Sequence, residues 1–390
     1  MAKLGEVCNF YAGTGFPNEY QGRVTGKYPF YKVGDISKNV LEGNRELKIC
    51  ANYVDEEVVQ KLKGSILPPK TIVFAKIGEA LKLNRRAITS CECLVDNNVM
   101  GVKAQNGRLN DEYLFYWLQN LNLSDYSEST TVPSVKKSRL QNIEINVSPL
   151  EEQEKVVSTL NRLSSLILAR KKQLSKLDEL VKARFVEMFG DDIYPKVKVS
   201  RVCDFITKGT TPPNNLISEK YSSDKVPYLK VYNLSFTGKL LFDTAPQYVP
   251  ENIHNGVLAR SKVYPNDVLM NIVGPPLGKF ALVTNEFSEW NINQAIAIFR
   301  AKEKVNPKYL LFALMQPEVL KPFLRQAVGI RQLNLSLAQC RDLEIPLPPL
   351  SLQSEFAAFV EQVDQQKQTV QQSLEKLELM KKALMQEYFG

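Results

Sequence analysis

An internal repeat constrains the fold of this 390-residue chain more than any other feature. Residues 144–190 return as residues 344–390, at an offset of 200 that holds without a gap. Upstream, residues 69–78 return as residues 265–274 at an offset of 196. Solenoid repeats span only about 20–50 residues, so a period this long predicts two tandem domains of similar fold.

The two parts of the repeated unit differ in how closely they match. The last 40 residues of each copy keep their register throughout, whereas the preceding block keeps its apolar residues but changes its polar residues and loop lengths. We interpret this pattern as one scaffold that carries two different surfaces.

The closely matched part of each copy predicts a long helix. Residues 151–189 and 351–389 contain no glycine or proline, follow a proline-leucine pair, and end at Gly190 and Gly390. Those are start and stop signals of helices. At about 1.5 Å per residue, each helix would be roughly 58 Å long.

Both predicted helices carry a heptad pattern. Steps of four and three from Val156 and Phe356 meet apolar residues at eight of ten positions in each run, which is typical of a coiled coil. The predicted helix-pairing residues are Val156, Leu160, Leu163, Ile167, Leu174, Leu177, Val181, Phe356, Val360, Val363, Val370, Leu374, Leu377 and Leu384.

The economical way to bury both seams is antiparallel pairing of the two helices within one chain; pairing between two chains is the alternative. Of the six remaining seam positions, Met188 and Tyr388 are apolar and the other four hold Lys or Arg, which either fix the register or lay their stems along the seam. Those four are Arg170, Arg184, Lys367 and Lys381.

The preceding blocks are predicted to be mixed. Residues 71–75 and 99–102, with their copies 268–272 and 295–299, have the composition of buried strands, and residues 113–118 and 309–314 that of short buried helices. The predicted class is α+β: two similar mixed α/β globular domains joined by a pair of long antiparallel coiled-coil helices, with a pseudo-twofold internal repeat.

Polar loops at matching places in both blocks are the candidate DNA-binding segments. Lys and Arg contact phosphates or guanine, and Asn and Gln pair with adenine. For any single residue, an ordinary surface loop is an equally good interpretation. The candidates are Lys76, Gly78, Lys82, Asn84, Arg85, Arg86, Thr130, Thr131, Ser134, Lys136, Lys137, Arg139, Lys208, Thr210, Thr211, Asn214, Asn215, Asn271, Lys279, Arg331, Gln332 and Asn334.

Composition argues against catalysis. The six cysteines form no CxxC pair and His254 is the single histidine, so we expect no metal site and no histidine-based triad. The sequence has no G-x-x-x-x-G-K-[ST] loop, no glycine-rich cofactor loop and no Asn-Pro-Pro-aromatic motif. Without an apolar span or signal-peptide core, we expect a cytoplasmic protein with no membrane contact.

Net charge is compatible with DNA but does not demonstrate binding. The formal charge is +8, and the excess lies in the two globular blocks, with +3 in residues 1–150 and +6 in residues 197–350.

The block Ile145-x-x-x-Pro149-Leu150-x-x-Gln153, repeated with Ile345, Pro349, Leu350 and Gln353, resembles the specificity subunits of Type I restriction–modification enzymes. The resemblance covers essentially the whole chain. It implies target-recognition domains at 1–149 and 191–349, and conserved spacer helices at 150–190 and 350–390. One departure is Asn146-Val147-Ser148, where the second copy has Pro346-Leu347-Pro348.

The resemblance also implies a function and partners. Each recognition domain would read one half-site of a bipartite, asymmetric DNA target, with the helices as a ruler for the unread spacer. The partners would be two modification subunits, which use S-adenosylmethionine to methylate adenine, and restriction subunits, which hydrolyse ATP. The chain itself would bind no cofactor. A stand-alone DNA-binding regulator is the alternative, and a nuclease or methyltransferase is disfavoured by the missing motifs.

Overall fold

A computed structural model describes residues 1–105, 107–128, 132–190, 193–329 and 333–390. The chain forms two compact units. Unit 1 contains Met1–Leu174 and Val370–Gly390, and unit 2 contains Ser175–Thr369. Each long helix therefore contributes its first part to one unit and its last part to the other.

Unit 1 begins with short elements and ends on a long helix. Its strands are β1 (Ala2–Lys3), β2 (Cys8–Ala12), β3 (Tyr28–Tyr31), β4 (Tyr53–Val54), β5 (Ile72–Ala75), β6 (Arg86–Ile88), β7 (Leu94–Val95), β8 (Val99–Ala104) and β9 (Glu144–Ile145). Its helices are α1 (Leu4–Val7), α2 (Val33–Leu41), α3 (Glu56–Leu62), α4 (Glu79–Lys82), α5 (Asp111–Asn120), α6 (Lys137–Gln141) and the first part of α7 (Leu150–Phe189).

Three small sheets organise unit 1. The largest has the order β2-β8-β5-β6 and is antiparallel throughout, the second has the order β4-β3-β7, and β1 pairs with β9. Both faces of β5 are covered, because Ile72 and Phe74 lie in the same core as α5, while Val73 lies in a second core with Tyr31 and Leu47. A near-continuous apolar strand is what such two-sided burial requires.

Unit 2 repeats this plan with longer connections. Its strands are β10 (Lys196–Lys198), β11 (Cys203–Lys208), β12 (Lys225–Leu229), β13 (Tyr248–Pro250), β14 (Lys262–Val263), β15 (Val268–Asn271), β16 (Phe280–Leu282), β17 (Trp290–Ile292), β18 (Ile296–Ala301) and β19 (Glu344–Pro346). Its helices are the last part of α7, then α8 (Val199–Val202), α9 (Glu251–Asn255), α10 (Pro307–Leu314), α11 (Pro317–Leu324), α12 (Leu337–Asp342) and the first part of α13 (Leu350–Phe389), whose last part belongs to unit 1.

The sheet orders show the repeat directly. The β11-β18-β15-β16 sheet of unit 2 corresponds to β2-β8-β5-β6 of unit 1, and β10 pairs with β19 as β1 pairs with β9. The second sheet has one strand more, in the order β13-β12-β17-β14. The predicted strands are observed as β5, β8, β15 and β18, and the predicted short helices as α5 and α10. The predicted α+β class with a twofold internal repeat is confirmed.

A buried glutamine fixes the start of each long helix. The Gln153 side chain accepts a hydrogen bond from the Asn110 amide (2.8 Å) and donates to the carbonyls of Arg108 (3.1 Å) and Ser148 (2.7 Å). Gln353 accepts from the Asn306 amide (2.9 Å) and donates to Pro348 (2.8 Å).

The residues that meet these glutamines have a second role. Asn110 and Asn306 are the N-caps of α5 and α10, each accepting hydrogen bonds from two amides of the first helical turn. One buried amide therefore ties the first turn of a long helix to the first turn of a short core helix. The Pro-Leu-x-x-Gln motif supplies this link in both copies.

The long helices pair antiparallel in each unit. In unit 1, Lys171 Nζ lies 2.8 Å from Glu378 Oε1. In unit 2, Lys367 pairs with Asp178 (2.5 Å) and Arg184 with Glu355 (3.0 Å). All fourteen predicted pairing residues are buried or half-buried in their units.

Aromatic rings fix the end of each helix. In unit 1, the Phe389 ring lies 5.1 Å from the Tyr113 ring of α5, edge to face. In unit 2, the Phe189 ring lies 5.0 Å from the Tyr309 ring of α10. Tyr113 and Tyr309 are equivalent positions of the repeat, so the phenylalanine before each terminal glycine docks on the same core residue.

The charged seam residues behave differently from one another. Arg184 and Lys367 form the ion pairs described above. Lys381 is half-buried, its Nζ lies 5.4 Å from the centre of the Tyr116 ring, and its burial lowers the pKa of the ammonium group. Arg170 donates to Gln173 on its own helix (2.8 Å).

We expect Gln153→Ala and Gln353→Ala each to lower the free energy of unfolding by about 1–3 kcal/mol, because each leaves buried backbone groups without a partner. Chemical denaturation of the whole chain measures the effect. Gln372→Ala, at an exposed position of α13, is the matched control and should be close to neutral. If Gln153→Ala or Gln353→Ala were as stable as this control, the role of the two glutamines in fixing the helix starts would be contradicted.

Candidate nucleic-acid interface

In unit 1, two candidate loops distant in sequence are joined by backbone hydrogen bonds. The Gly78 amide donates to the Pro133 carbonyl (2.8 Å) and the Val135 amide to the Lys76 carbonyl (2.9 Å), around a bridge between Ile77 and Ser134. Residues 76–78 and 133–135 thus form one structural feature, which we call the loop junction of unit 1.

Unit 2 has the equivalent loop junction, formed by residues 272–274 and 333–335. The Gly274 amide donates to the Leu333 carbonyl (2.9 Å), and the Leu335 amide to the Ile272 carbonyl (2.9 Å). Val273 and Asn334 form the bridge between them. The same bonds at equivalent positions mean that the repeat preserves the frame beneath the candidate loops.

A cavity of ≈ 310 Å³ lies beside the loop junction of unit 1. Apolar side chains, including Met100 and Val135, form part of its wall. Polar and charged side chains line the rest, at Tyr11, Lys76, Ser134, Lys136 and Lys137. Lys136 also pairs with Glu128 (2.6 Å), while Lys137 and Arg139 are exposed on α6. The cavity therefore combines an apolar wall with amines suited to an anion.

Two predicted DNA contacts of unit 1 point into the protein. Arg86 is only 3% exposed and donates to the Asn84 carbonyl (2.9 Å), the Asn84 side chain (2.9 Å) and the Leu121 carbonyl (2.6 Å). Burial lowers the pKa of Arg86 to about 9. Asn84, at φ +53°, also donates to Leu121 (3.1 Å). Their side chains hold the β5–β6 connection onto the segment after α5, so neither side chain belongs to the candidate interface.

Two other cations of this connection remain near the surface. Lys82 is exposed and pairs with Glu79 on α4 (2.7 Å). Arg85 is half-buried, and among the described residues it has no ion-pair partner. Gly78, at φ +74°, begins α4 in a conformation that favours glycine.

Asn271 in unit 2 also has an internal role. Its side chain is fully buried, donates to the Pro276 carbonyl (2.9 Å) and accepts from the Lys279 amide (2.8 Å). It therefore shapes the loop that carries Lys279 and does not face a partner itself. Lys279 is half-buried, with its Nζ 5.7 Å from the centre of the Phe236 ring.

Residues 208–215 form a second candidate segment of unit 2, the glycine-threonine loop. A Cβ at Gly209 would lie 2.1 Å from the Asn293 carbonyl oxygen, so only glycine fits there. Thr210 accepts a hydrogen bond from Arg260 Nε (3.1 Å). The loop's exposed polar side chains are Lys208, Thr211, Asn214 and Asn215.

Sequence reasoning missed the unit 1 copy of this loop, residues 12–19. A Cβ at Gly13 would lie 1.8 Å from the Asp96 carbonyl oxygen, the same close approach as at Gly209. The signal was present, because Gly-Thr-x-x-Pro-Asn occurs at Gly13 and Gly209, an offset of 196. Tyr11 and Arg260 were also missed, since neither lies in a candidate loop.

Four predicted contacts, Thr130, Thr131, Arg331 and Gln332, lie outside the described residues. Asn334 is exposed at the loop junction of unit 2, and Ser134 is half-buried at that of unit 1. The structure thus brings Lys76, Gly78 and Ser134 together in unit 1, and places Lys279 and Asn334 on segments that start from one junction in unit 2.

Comparison with known proteins decides the family. The family model of the Type I restriction modification DNA specificity domain matches residues 1–179 and again residues 194–379. The chain belongs to this family. It is a DNA-specificity subunit of a Type I restriction–modification system, a non-catalytic component that recognises DNA and works in a complex with restriction–modification subunits.

Relatives of the specificity subunit match along nearly the whole chain. The Type I restriction enzyme MjaVIII specificity subunit of Methanocaldococcus jannaschii is 23% identical over 97% of this chain and 96% of its own length. The EcoBI specificity subunit of Escherichia coli is 22% identical over 92% of this chain and 78% of its own length.

Solved structures share the fold. The S subunit of the Type I restriction–modification system of M. genitalium has a TM-score of 0.55 at 15% identity, covering 100% of this chain and 95% of that one. A chain from a structure of a type I R-M system has a TM-score of 0.58 at 19% identity, covering 100% and 96%.

The specificity subunit offers no metal centre within the ranges that the structure describes. Its single histidine, His254, is buried between Glu289 (2.9 Å) and Asn291 (3.1 Å). In the same ranges no helix is long and apolar enough to cross a bilayer.

Adjacent arginines of unit 1 provide a test of these placements. Arg86→Met should lower the free energy of unfolding by about 2–3 kcal/mol, because the carbonyls of Asn84 and Leu121 lose a buried donor. Arg85→Ala should leave stability within about 0.5 kcal/mol and weaken DNA binding by about 1–3 kcal/mol. Chemical denaturation measures the stability of each variant, and titration with DNA measures binding by the assembled complex. If Arg85→Ala lowered stability more than Arg86→Met, the assignment of Arg86 to the interior and of Arg85 to the surface would be wrong.

Proposed function

We propose that this specificity subunit reads a bipartite, asymmetric DNA target, with one half-site for each unit. The observation that carries the proposal is the loop junction, which recurs with the same backbone bonds in both units but presents different side chains. The shared backbone of the loop junction places the candidate surface at the same position in each unit. The different side chains then give the two surfaces different base preferences.

The chemistry of the two surfaces supports an asymmetric target. Both units carry a threonine and an asparagine in the glycine-threonine loop, at Thr14 and Asn18 and at Thr210 and Asn214. They differ at α6 and α12, where Lys136, Lys137 and Arg139 of unit 1 correspond to Ser336, Leu337 and Gln339 of unit 2. Lysine and arginine suit phosphates and guanine edges, whereas asparagine pairs with adenine. The two half-sites should therefore differ in sequence.

The partners belong to the proposal as well. Two modification subunits that use S-adenosylmethionine to methylate adenine, and restriction subunits that use ATP, would assemble on this chain. Large apolar side chains exposed on the long helices support a protein partner there. They are Leu166, Leu168, Leu379 and Met380 in unit 1, and Leu180 and Val186 in unit 2.

The long helices would set the spacer between the half-sites. Each is clamped at its first turn by Gln153 or Gln353 and docked at its end by Phe189 or Phe389. Because both ends are anchored, the number of residues between the anchors determines how far each helix reaches.

Exchange of residues 1–149 for the matching block of another Type I specificity subunit should change one half-site only. The graft keeps β1 and β9 from the same donor, and Gln153 bonds only backbone atoms. The donor block should keep the side chains that contact the long helices, at Arg45, Glu112, Tyr113 and Tyr116. Mapping methylated adenines in cells that carry the chimera and its modification subunit gives the new target.

The reciprocal chimera, with residues 191–349 exchanged, is the matched control and should change the other half-site. If either exchange altered both half-sites, the two units would not read independently. If the isolated chain selected its sites without modification subunits and formed no complex with them, a stand-alone regulator would be the better interpretation.

A second experiment lengthens the helices. Four residues inserted after Lys172 and four after Glu375 should add one base pair to the spacer and leave both half-sites unchanged. Four residues add about 40° of net rotation and about 6 Å, whereas one base pair adds about 34–36° and 3.4 Å. We expect the rotation to determine the new spacer, because a unit rotated out of line with its groove loses its base contacts. An axial error of a few ångströms is absorbed by DNA bending.

The length-neutral control replaces the exposed residues Gln173, Ser175 and Lys176 of α7 by alanine and keeps Leu174 of the seam. It should keep the original spacer, since neither anchor moves. An insertion variant that methylates DNA with the original spacer would show that these helices do not set the distance.

A further inference from the structure

Unit 2 contains a tight turn formed by residues 234–240, called here the aromatic turn. Leu234 and Leu240 form a bridge across it. The Ser235 amide donates to the Phe280 carbonyl (3.0 Å), the Phe280 amide to the Ser235 carbonyl (2.7 Å), and the Leu282 amide to the Gly238 carbonyl (3.0 Å). The turn is therefore fastened to strand β16.

Internal bonds close the turn. Ser235 Oγ accepts from the amides of Lys239 (2.8 Å) and Thr237 (3.3 Å). Gly238 has φ +79°, and a Cβ there would lie 2.8 Å from Leu311 Cδ2, so the turn packs closely on α10. The bonds to β16, the bonds within the turn and the packing on α10 together fix the backbone that carries the turn's exposed aromatic side chain.

That side chain is Phe236, which is 56% exposed. A single exposed apolar residue is common and needs no partner. Phe236 differs because its backbone is fixed and a cation stands over its ring, with Lys279 Nζ 5.7 Å from the ring centre. Lys279 is itself positioned by the buried Asn271 side chain.

Unit 1 has a different structure at this place. The Lys230 amide donates to the Asn233 side chain (2.9 Å), as the Lys32 amide donates to Asp35 (2.8 Å). These matching caps align the two copies at an offset of 198, so residue 38 of unit 1 is the equivalent of Phe236. Position 38 lies on helix α2 and holds an exposed lysine. Among the residues that the structure describes, the aromatic turn occurs in unit 2 and not in unit 1.

We propose that Phe236 inserts at one base step of the half-site read by unit 2 and stacks there on a partly unstacked nucleobase, while Lys279 neutralises an adjacent phosphate. An aromatic face accepts any base and a neighbouring amine suits the backbone, so the pair fits the two parts of a nucleotide. A fixed turn lowers the conformational entropy lost on binding. This inference rests on the proposed function, because it assigns Phe236 to a half-site of unit 2.

The test uses the assembled complex of the specificity and modification subunits with a duplex of its mapped target. 2-Aminopurine is placed in turn at each position of the unit 2 half-site. Binding should change the emission at one step, and Phe236→Ala should abolish that change and weaken binding about tenfold, the loss expected for one base stacked on an aromatic side chain. Phe236→Trp should retain both, since indole also stacks.

Two controls separate the explanations. Val257→Ala removes another exposed apolar side chain of unit 2 and should leave affinity and emission unchanged. Lys279→Ala should weaken binding at every sequence alike and reduce its salt dependence, as a phosphate contact does. Thermal unfolding of Phe236→Ala should match that of the parent chain, because the ring is exposed.

The outcomes distinguish this inference from the proposed function. If Phe236→Ala binds as tightly as the parent with the same emission profile, the stacking role is wrong, while half-site recognition by unit 2 stands. If base changes throughout the unit 2 half-site leave methylation by the parent complex unaffected, unit 2 reads no half-site and both proposals fail.

Discussion

Each half of this molecule depends on one buried primary amide. Gln153 and Gln353 are fully buried, and each links the entrance of a long helix to the cap of a short core helix through backbone atoms only. A buried amide without partners would cost about 1–3 kcal/mol, so the chain must enter the helix where these bonds form. Because the partners are backbone groups, the surrounding side chains are free to differ between the copies without loss of the clamp.

The sequence predicted the framework better than the surface. A heptad pattern of apolar residues in a run without glycine favours a long helix that pairs with another helix, and both long helices form where predicted. The role of Gln153 could not be inferred, because its partner at Asn110 lies 43 residues away in sequence. Polar loop residues such as Arg86 and Asn271 have the composition of ligand contacts, and only the packing shows that their side chains are used inside the fold.

Those inward-facing polar residues explain how one scaffold carries two surfaces. Asn271 holds the loop that presents Lys279, and Arg86 with Asn84 holds the β5–β6 connection that presents Lys82 and Arg85. The shape of each loop is thus set by side chains that form hydrogen bonds inside the fold. Exposed side chains on such a loop can therefore change with little effect on stability.

The charged residues at and beside the helix seam have a different role from the apolar ones. Apolar side chains supply most of the attraction between the helices, but a seam of Leu and Val tolerates a shift of one heptad. Exposed ion pairs such as Lys171–Glu378 and Arg184–Glu355 stabilise a fold by only about 0–1 kcal/mol each. Their value lies in the difference between registers, because a heptad shift would separate both pairs and move the half-buried Lys381 away from Tyr116. Attraction and register are therefore specified by separate sets of residues on the same two helices.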